Sequence, residues 1–352
     1  MGAKSEKERQ TAEALKNFLH DTNWTQIAVA RKLGVSPAVI NQFLQNKYPG
    51  NNDELVNKIM HLIDSVARKK RRPRNDAFIE TTIAKRIFTL ITQTEAFSDD
   101  EGKIGLIIGD GGHGKSHCMR EYAKSNKNTV YVELDEAMTA TMIFVEIAEK
   151  LGIYSAGSLA TITRRLIDAL QNRHIIIMLD EASHLRVKQL NQLRQIIAVK
   201  SRCPLILAGN RYLLDTIMQL TTRRGCESLD QFTSRLMCIL DLDATASNKD
   251  GGLYTTDDVR KLYEYGGIRL TTDAVKTLRK ICQTDHSGRL RTCGHIVSAL
   301  HTSGLVTETC QIDSELIRDA IVQLDLPIRA RLPIATGYED TAEEEVAVKA
   351  AG

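Results

Sequence analysis

The sequence has no uninterrupted apolar run that approaches a membrane span, and nothing apolar follows its opening MGAKSEKERQ. A bilayer-crossing helix needs about 20 such residues, so neither a secretory signal nor an anchor is expected. Position 6 is glutamate where N-myristoylation after Gly2 would want serine or threonine. No C-x-x-C pair occurs among the seven scattered cysteines (118, 203, 226, 238, 282, 293, 310). That spacing argues against a zinc site or a disulfide framework and fits a reduced, cytoplasmic chain. Net charge is also scarce, at +3 over 352 residues, so the balance of charge says little about partners and its distribution has to be read instead. The remaining composition, 42% hydrophobic and 26% charged, is that of a globular protein with room for two or three domains.

What is present centres on Lys103–Ser116, KIGLIIGDGGHGKS. Ile104, Leu106, Ile107 and Ile108 form an apolar run suited to a buried strand. Gly109, Asp110, Gly111, Gly112, His113, Gly114, Lys115 and Ser116 then fit G-x-x-x-x-G-K-[ST] at every fixed position. Glycines let backbone N–H groups converge on phosphate oxygens, and the helix that follows aims its positive end at the same place. Lys115 suits the β- and γ-phosphates, and the Ser116 hydroxyl suits Mg²⁺. His117 adjoins this nucleotide-binding set. The expected ligands are therefore ATP and Mg²⁺.

Farther on, His174-Ile-Ile-Ile-Met-Leu-Asp180-Glu181 reads as a buried strand ending in two carboxylates, after an intervening strand at Thr129–Leu134. Asp180 would hold the metal at the strand's C-terminal edge, and Glu181 would orient and deprotonate water. A fourth strand, Pro204–Gly209, ends in Asn210.

The N-terminal stretch carries no such chemistry but has a clear pattern. Ala14, Leu15, Phe18 and Leu19 mark a first amphipathic helix, and Ile27, Ala28 and Leu33 are the expected inward positions of a second. Gly34 breaks it, Ser36-Pro37 start a third helix as N-cap and first helical residue, and Val39, Ile40, Phe43 and Leu44 point inward. This is a helix-turn-helix pattern, with Ser36, Ala38, Asn41, Gln42 and Lys47 available to duplex DNA; a small bundle used only for protein contacts is the alternative. A fourth helix from Asp53 to about Val66 runs into Arg68-Lys-Lys-Arg-Arg-Pro-Arg74. That basic block reads as a solvated linker, with Lys69, Lys70, Arg71, Arg72 and Arg74 able to neutralise phosphates. Arg164 and Arg165, on a helix at Leu159–Leu170, face either solvent or DNA.

Strand, glycine loop, carboxylate pair and Asn210 together resemble the AAA+ ATPases. The resemblance implies a sensor-1 role for Asn210, a trans-acting arginine finger at Arg235 in QFTSRL (with Arg223 and Arg224 as rivals), and a sensor-2 role for Arg291 in GRLR. His113 stands where a small or apolar residue is more usual. With the N-terminal module attached, the chain resembles the transposition target-DNA activators typified by the B protein of phage Mu. The segments that carry this are QNKYPGNNDELVNKI, GDGGHGKS, MLDEASHL, LILAGNRYL and AIVQLDLPI. The family implies a DNA-stimulated ATPase that assembles as a homo-oligomer, ring or helical filament, on double-stranded DNA and stimulates a transposase. An operator-reading transcription regulator and a helicase or initiator loader are the other classes that share these parts. The expected architecture is an α/β P-loop NTPase with a parallel sheet flanked by helices. It divides as a helix-turn-helix domain over 1–67, a basic linker over 68–77, the ATPase core over 78–245, an all-helical lid over 246–332, and an acidic tail over 333–352.

Overall fold

The computed structural model describes residues 6–22, 24–45, 47–49, 52–71, 77–98, 101–171, 173–221, 229–246, 252–302 and 311–326. Arg72, Arg74, Arg223, Arg224 and the acidic tail lie outside these residues, and of Lys69, Lys70 and Arg71 only the helical backbone is described. The chain divides into two compact units, Met1–Arg74 and Asn75–Gly352.

The first unit is four helices, α1 (Glu6–Asp21), α2 (Gln26–Leu33), α3 (Pro37–Leu44) and α4 (Asn52–Arg71). Thr25 caps α2 by accepting from Ala28 N–H, and Gly34 closes it at φ 71°, a left-handed conformation that glycine adopts without a Cβ penalty. Ser36 caps α3 by accepting from Val39 N–H, with Pro37 in the first turn. One apolar cluster holds the four together, built on Leu15, Val29, Ile40, Phe43, Val56 and Ile59.

Two expectations change here. Helix α2 buries Val29 and Ala30, while Ile27 is 60% exposed; the eight-residue helix is too short for its apolar period to fix which face turns inward. Helix α4 also runs on through Arg71, so the first half of the basic block is helix, not linker. Lysine and arginine are good helix formers and favour a helix C-terminus, where they complement the macrodipole.

The second unit opens with α5 (Thr82–Ala96) and β1 (Ile104–Ile108), then α6 (Lys115–Ser125), β2 (Thr129–Glu133), α7 (Ala140–Lys150), α8 (Leu159–Leu170) and β3 (Ile176–Asp180). A 3₁₀ turn at Ala182–His184 leads to α9 (Val187–Leu193), which continues as a π-helical turn over Arg194–Lys200. Next come β4 (Leu205–Gly209), α10 (Arg211–Thr221), α11 (Asp230–Thr233), β5 (Leu236–Asp241) and α12 (Leu242–Ala246). The five strands form one sheet in the order β2-β3-β4-β1-β5, and every pairing is parallel. Strands β1, β3 and β4 are buried along their whole length, which is why they read as continuous apolar runs instead of alternating ones.

A bundle follows, of α13 (Thr256–Tyr263), α14 (Thr272–Gln283), α15 (Arg289–Thr302) and α16 (Ser314–Gln323). It is not wholly helical: β6 (Arg269–Leu270) and β7 (Gln311–Ile312) pair in parallel, a two-residue ladder too short to leave a periodic signal. One face of the sheet, with Ile104, Leu106, Ile108, Leu179 and Leu207, packs on Phe144, Leu166 and Leu190. The other face, with Ile107, Met178 and Ile206, shares a single apolar cluster with Leu278, Ile281, Ile296 and Ile317 of the bundle. Sheet and bundle therefore have a common core.

Candidate active site

Parallel strands bring their C-terminal ends to one edge, and the order β4-β1-β5 places β1 where the sheet's winding reverses, the position at which such sheets bind ligands. Gly109 leaves β1 there, and its N–H donates to Gly209 O at 3.0 Å, which holds the glycine loop beside the end of β4. Gly114 stands at φ 88° immediately before α6, so the loop turns directly into the helix N-terminus whose unpaired N–H groups suit an anion.

Lys115 Nζ donates to Gly109 O at 2.5 Å and to Asp110 O at 2.9 Å, so its ammonium is held under the loop. Burial pushes its pKa down, against the opposing pull of the Asp180, Glu181, Asp243 and Asp110 carboxylates. These four carboxylates thus all act on one cation. Asp180 is only 1% exposed. Its Oδ2 accepts from Tyr131 O–H at 2.8 Å and its Oδ1 from Glu181 N–H at 2.9 Å. Burial and the Asp180 charge push the Tyr131 hydroxyl well above its usual pKa, which keeps it a donor. Glu181 is exposed and sits at φ 54°, a left-handed conformation uncommon outside glycine and often found at functional positions. It swings the chain off β3 so that Ser183 reaches β4: Ser183 Oγ donates to Asn210 Oδ1 at 2.9 Å and accepts Asn210 N–H at 2.8 Å. Asn210 Oδ1 also accepts from Tyr212 N–H at 3.0 Å. Asn210 is thereby tied to the turn that follows Asp180-Glu181.

A nucleotide triphosphate with Mg²⁺ fits these groups. Among the described residues no cluster of three His, Cys, Asp or Glu side chains could hold a metal alone. Mg²⁺ instead takes one or two protein oxygens and completes its shell with phosphates and water, and the half-buried Ser116 hydroxyl with the Asp180 carboxylate supplies such a pair.

The remaining assigned residues lie in several places. Arg291 lies over the loop: its Nη1 comes within 4.0 Å of the point a Gly111 Cβ would occupy. His117 is exposed on α6 with its ring 5.4 Å from that of Phe78, which itself stacks on Phe88. Arg235 is elsewhere. It precedes β5 at the opposite, N-terminal edge of the sheet, pairs with Glu101 at 3.1 Å, and does not touch its own chain's loop. On α8, Arg164 is exposed. Arg165 is half-buried: its Nη1 donates to Tyr154 O and Ala156 O and its guanidinium lies 5.0 Å over the Tyr154 ring, closing the loop that precedes α8. In the first unit Ala38, Asn41 and Gln42 are exposed on α3 as expected, and Lys47 is exposed beyond it.

Sequence reasoning missed Tyr131, Ser183 and Asp243. Tyr131 had a trace, a hydroxyl in the middle of an otherwise apolar strand; the other two act through contacts no spacing rule describes.

A family model described as an AAA domain matches residues 98–217, from the end of α5 to α10. Residues 98–217 thus match an AAA domain, and the chain's similarity to known proteins extends beyond them. It is 27% identical over 281 residues to the Mu-like prophage FluMu DNA transposition protein B of Haemophilus influenzae, covering 79% of this chain and 92% of that protein. It is also 27% identical over 195 residues to the ATP-dependent target DNA activator B of Escherichia phage Mu, covering 54% of this chain and 59% of the phage protein. Among solved structures, Cdc6p of Pyrobaculum aerophilum matches with a TM-score of 0.48 at 17% identity, over 74% of this chain and 70% of that one. No helix among the described residues is long and apolar enough to cross a membrane.

Proposed function

We propose that this chain is an ATP-dependent target-DNA activator of transposition: an AAA ATPase that binds duplex DNA as an oligomer and recruits or stimulates a transposase. The observation that carries this reading is one chain joining a complete nucleotide edge to a helix-turn-helix module, within a similarity to transposition protein B that covers most of both proteins.

In this reading Lys115 and the loop amides would bind the triphosphate, while Ser116 and Asp180 would hold Mg²⁺, which would supply neutralisation of phosphate charge. Tyr131 and the Glu181 N–H fix the Asp180 carboxylate. Glu181 orients the attacking water and accepts its proton, and Asn210, held by Ser183, lines the γ-phosphate end. Arg291 reaches the phosphates from α15, and Arg235 acts on the nucleotide of a neighbouring copy after exchanging its Glu101 partner. Ser36, Ala38, Asn41, Gln42 and Lys47 face the duplex, with the basic block around residues 68–74 adding salt-sensitive affinity.

The test is ATP turnover with and without duplex DNA. Glu181→Gln loses hydrolysis and its DNA stimulation yet still loads onto DNA with ATP. Normal turnover in that variant overturns the base assignment, and nucleotide-independent loading of the wild type overturns the activator reading.

A further inference from the structure

The face of the glycine loop turned away from the nucleotide is fastened to the helical bundle through buried charge. Asp243, at the start of α12 just after β5, accepts the Asp110 N–H on Oδ2 at 2.8 Å. Its Oδ1 lies 2.8 Å from His113 Nε2 and 2.7 Å from Arg289 Nη2. A carboxylate only accepts, so His113 donates from Nε2. Burial, together with the Arg289 and Lys115 charges, pushes the His113 pKa down against the pull of Asp243 and keeps the ring neutral. Its Nδ1 therefore accepts the Tyr254 O–H at 2.7 Å. Arg289 is 0% exposed. It also donates to Cys282 O and to Asp285, and it stands at φ 49° in the first turn of α15. Beside this network the two backbones touch: a Cβ at Gly112 would come within 2.0 Å of Gly288 O.

His113 therefore presents its backbone to the phosphate side of the loop and its side chain to the bundle. Arg289 is two residues from Arg291, which reaches over Gly111. We propose that Asp243, His113, Tyr254 and Arg289 form a latch that couples the occupied loop to α15, with Asp243 as a positioning residue that seats Arg291 over the phosphates. A buried charge that loses one partner is costly to leave in place, so Arg289 favours the closed latch as long as Asp243 is held by the loop. The residue that departs from the usual loop pattern, His113, is the one that carries the connection. This inference rests on the nucleotide reading of the same site.

The experiment measures kcat and KM for ATP together with hydrogen exchange of the amides of α15, with and without a slowly hydrolysed ATP analogue. In the wild type the analogue slows exchange at the start of α15. In Asp243→Asn the analogue still binds, α15 exchange no longer responds, and kcat falls on the order of 10- to 100-fold while KM changes little. Tyr254→Phe, a milder change that removes only the hydroxyl tie, shows the same uncoupling in smaller measure and serves if Asp243→Asn does not fold. Arg318→Ala, at an exposed position of α16 outside this network, behaves as the wild type. Wild-type kcat and wild-type α15 response in both Asp243→Asn and Tyr254→Phe overturn the latch alone. A wild type that binds no nucleotide overturns the reading of the site, and the coupling with it.

Discussion

In the N-terminal unit the buried cluster from Ala12 to Leu62 is apolar, with Thr11 the one buried polar side chain among its described residues. The nucleotide edge of the second unit instead buries Asp180, His113 and Arg289 and half-buries Lys115. The first region is held by area removed from water, which is non-directional and tolerates exchange of similar shapes. The second is held by hydrogen-bonded charges, each of which costs free energy if its partner is removed. The difference assigns them different sensitivities: the bundle responds to lost volume, and the nucleotide edge responds to lost charge and to acid.

The largest effect that sharpens this contrast is Lys115→Ala. It is expected to abolish measurable ATP turnover and nucleotide binding while leaving the melting of the N-terminal unit unchanged, checked by nucleotide titration and calorimetry on one sample. Ile40→Ala does the converse. It creates a cavity in a fully buried site and destabilises the first unit by about 2–5 kcal/mol; ATP binding stays intact while duplex affinity falls. A drop in nucleotide affinity in that variant would break the separation.

Acid comes next. Burial raises the Asp243 carboxyl, but the His113 hydrogen bond, the Arg289 charge and the Asp110 N–H bring it down to about 2. A carboxylate depressed in the folded state adds stability above its unfolded pKa of roughly 3.9. That stability is lost as pH falls from there toward the folded value. The melting temperature of the second unit should therefore fall more steeply across this window in the wild type than in Asp243→Asn. Smallest of all is Ile27→Ser, which changes stability by no more than about 0.5 kcal/mol, because that side chain is already in water; a larger loss would put Ile27 back in the core.

Much of the nucleotide edge was legible because its chemistry is local. The strand-loop-helix order around Gly109–Ser116 and the apolar run ending at Asp180 each sit within a dozen residues, and strand periodicity locates them directly. The cap at Ser36 and the helix break at Gly34 were legible for the same reason. The Asp243 network was not, since it ties residue 113 to 243, 254 and 289, which only the folded chain brings together. The orientation of α2 was lost because a short helix with apolar residues on several sides allows more than one burial face. The contacts of Arg165 were not legible either, because sequence shows its charge but not the carbonyls of Tyr154 and Ala156 that its Nη1 meets. The two-residue β6–β7 ladder offered too little alternation to register.

The apolar cluster shared by the sheet and α14–α16 has a practical consequence for anyone dissecting the molecule. Cutting the gene after codon 246 would strip the cover from Ile107, Ile206 and their neighbours, leaving an oily wall in water. Such a fragment should clump, whereas the piece from Asn75 onward should melt in one step, so the workable scissor point lies before the ATPase and not behind it.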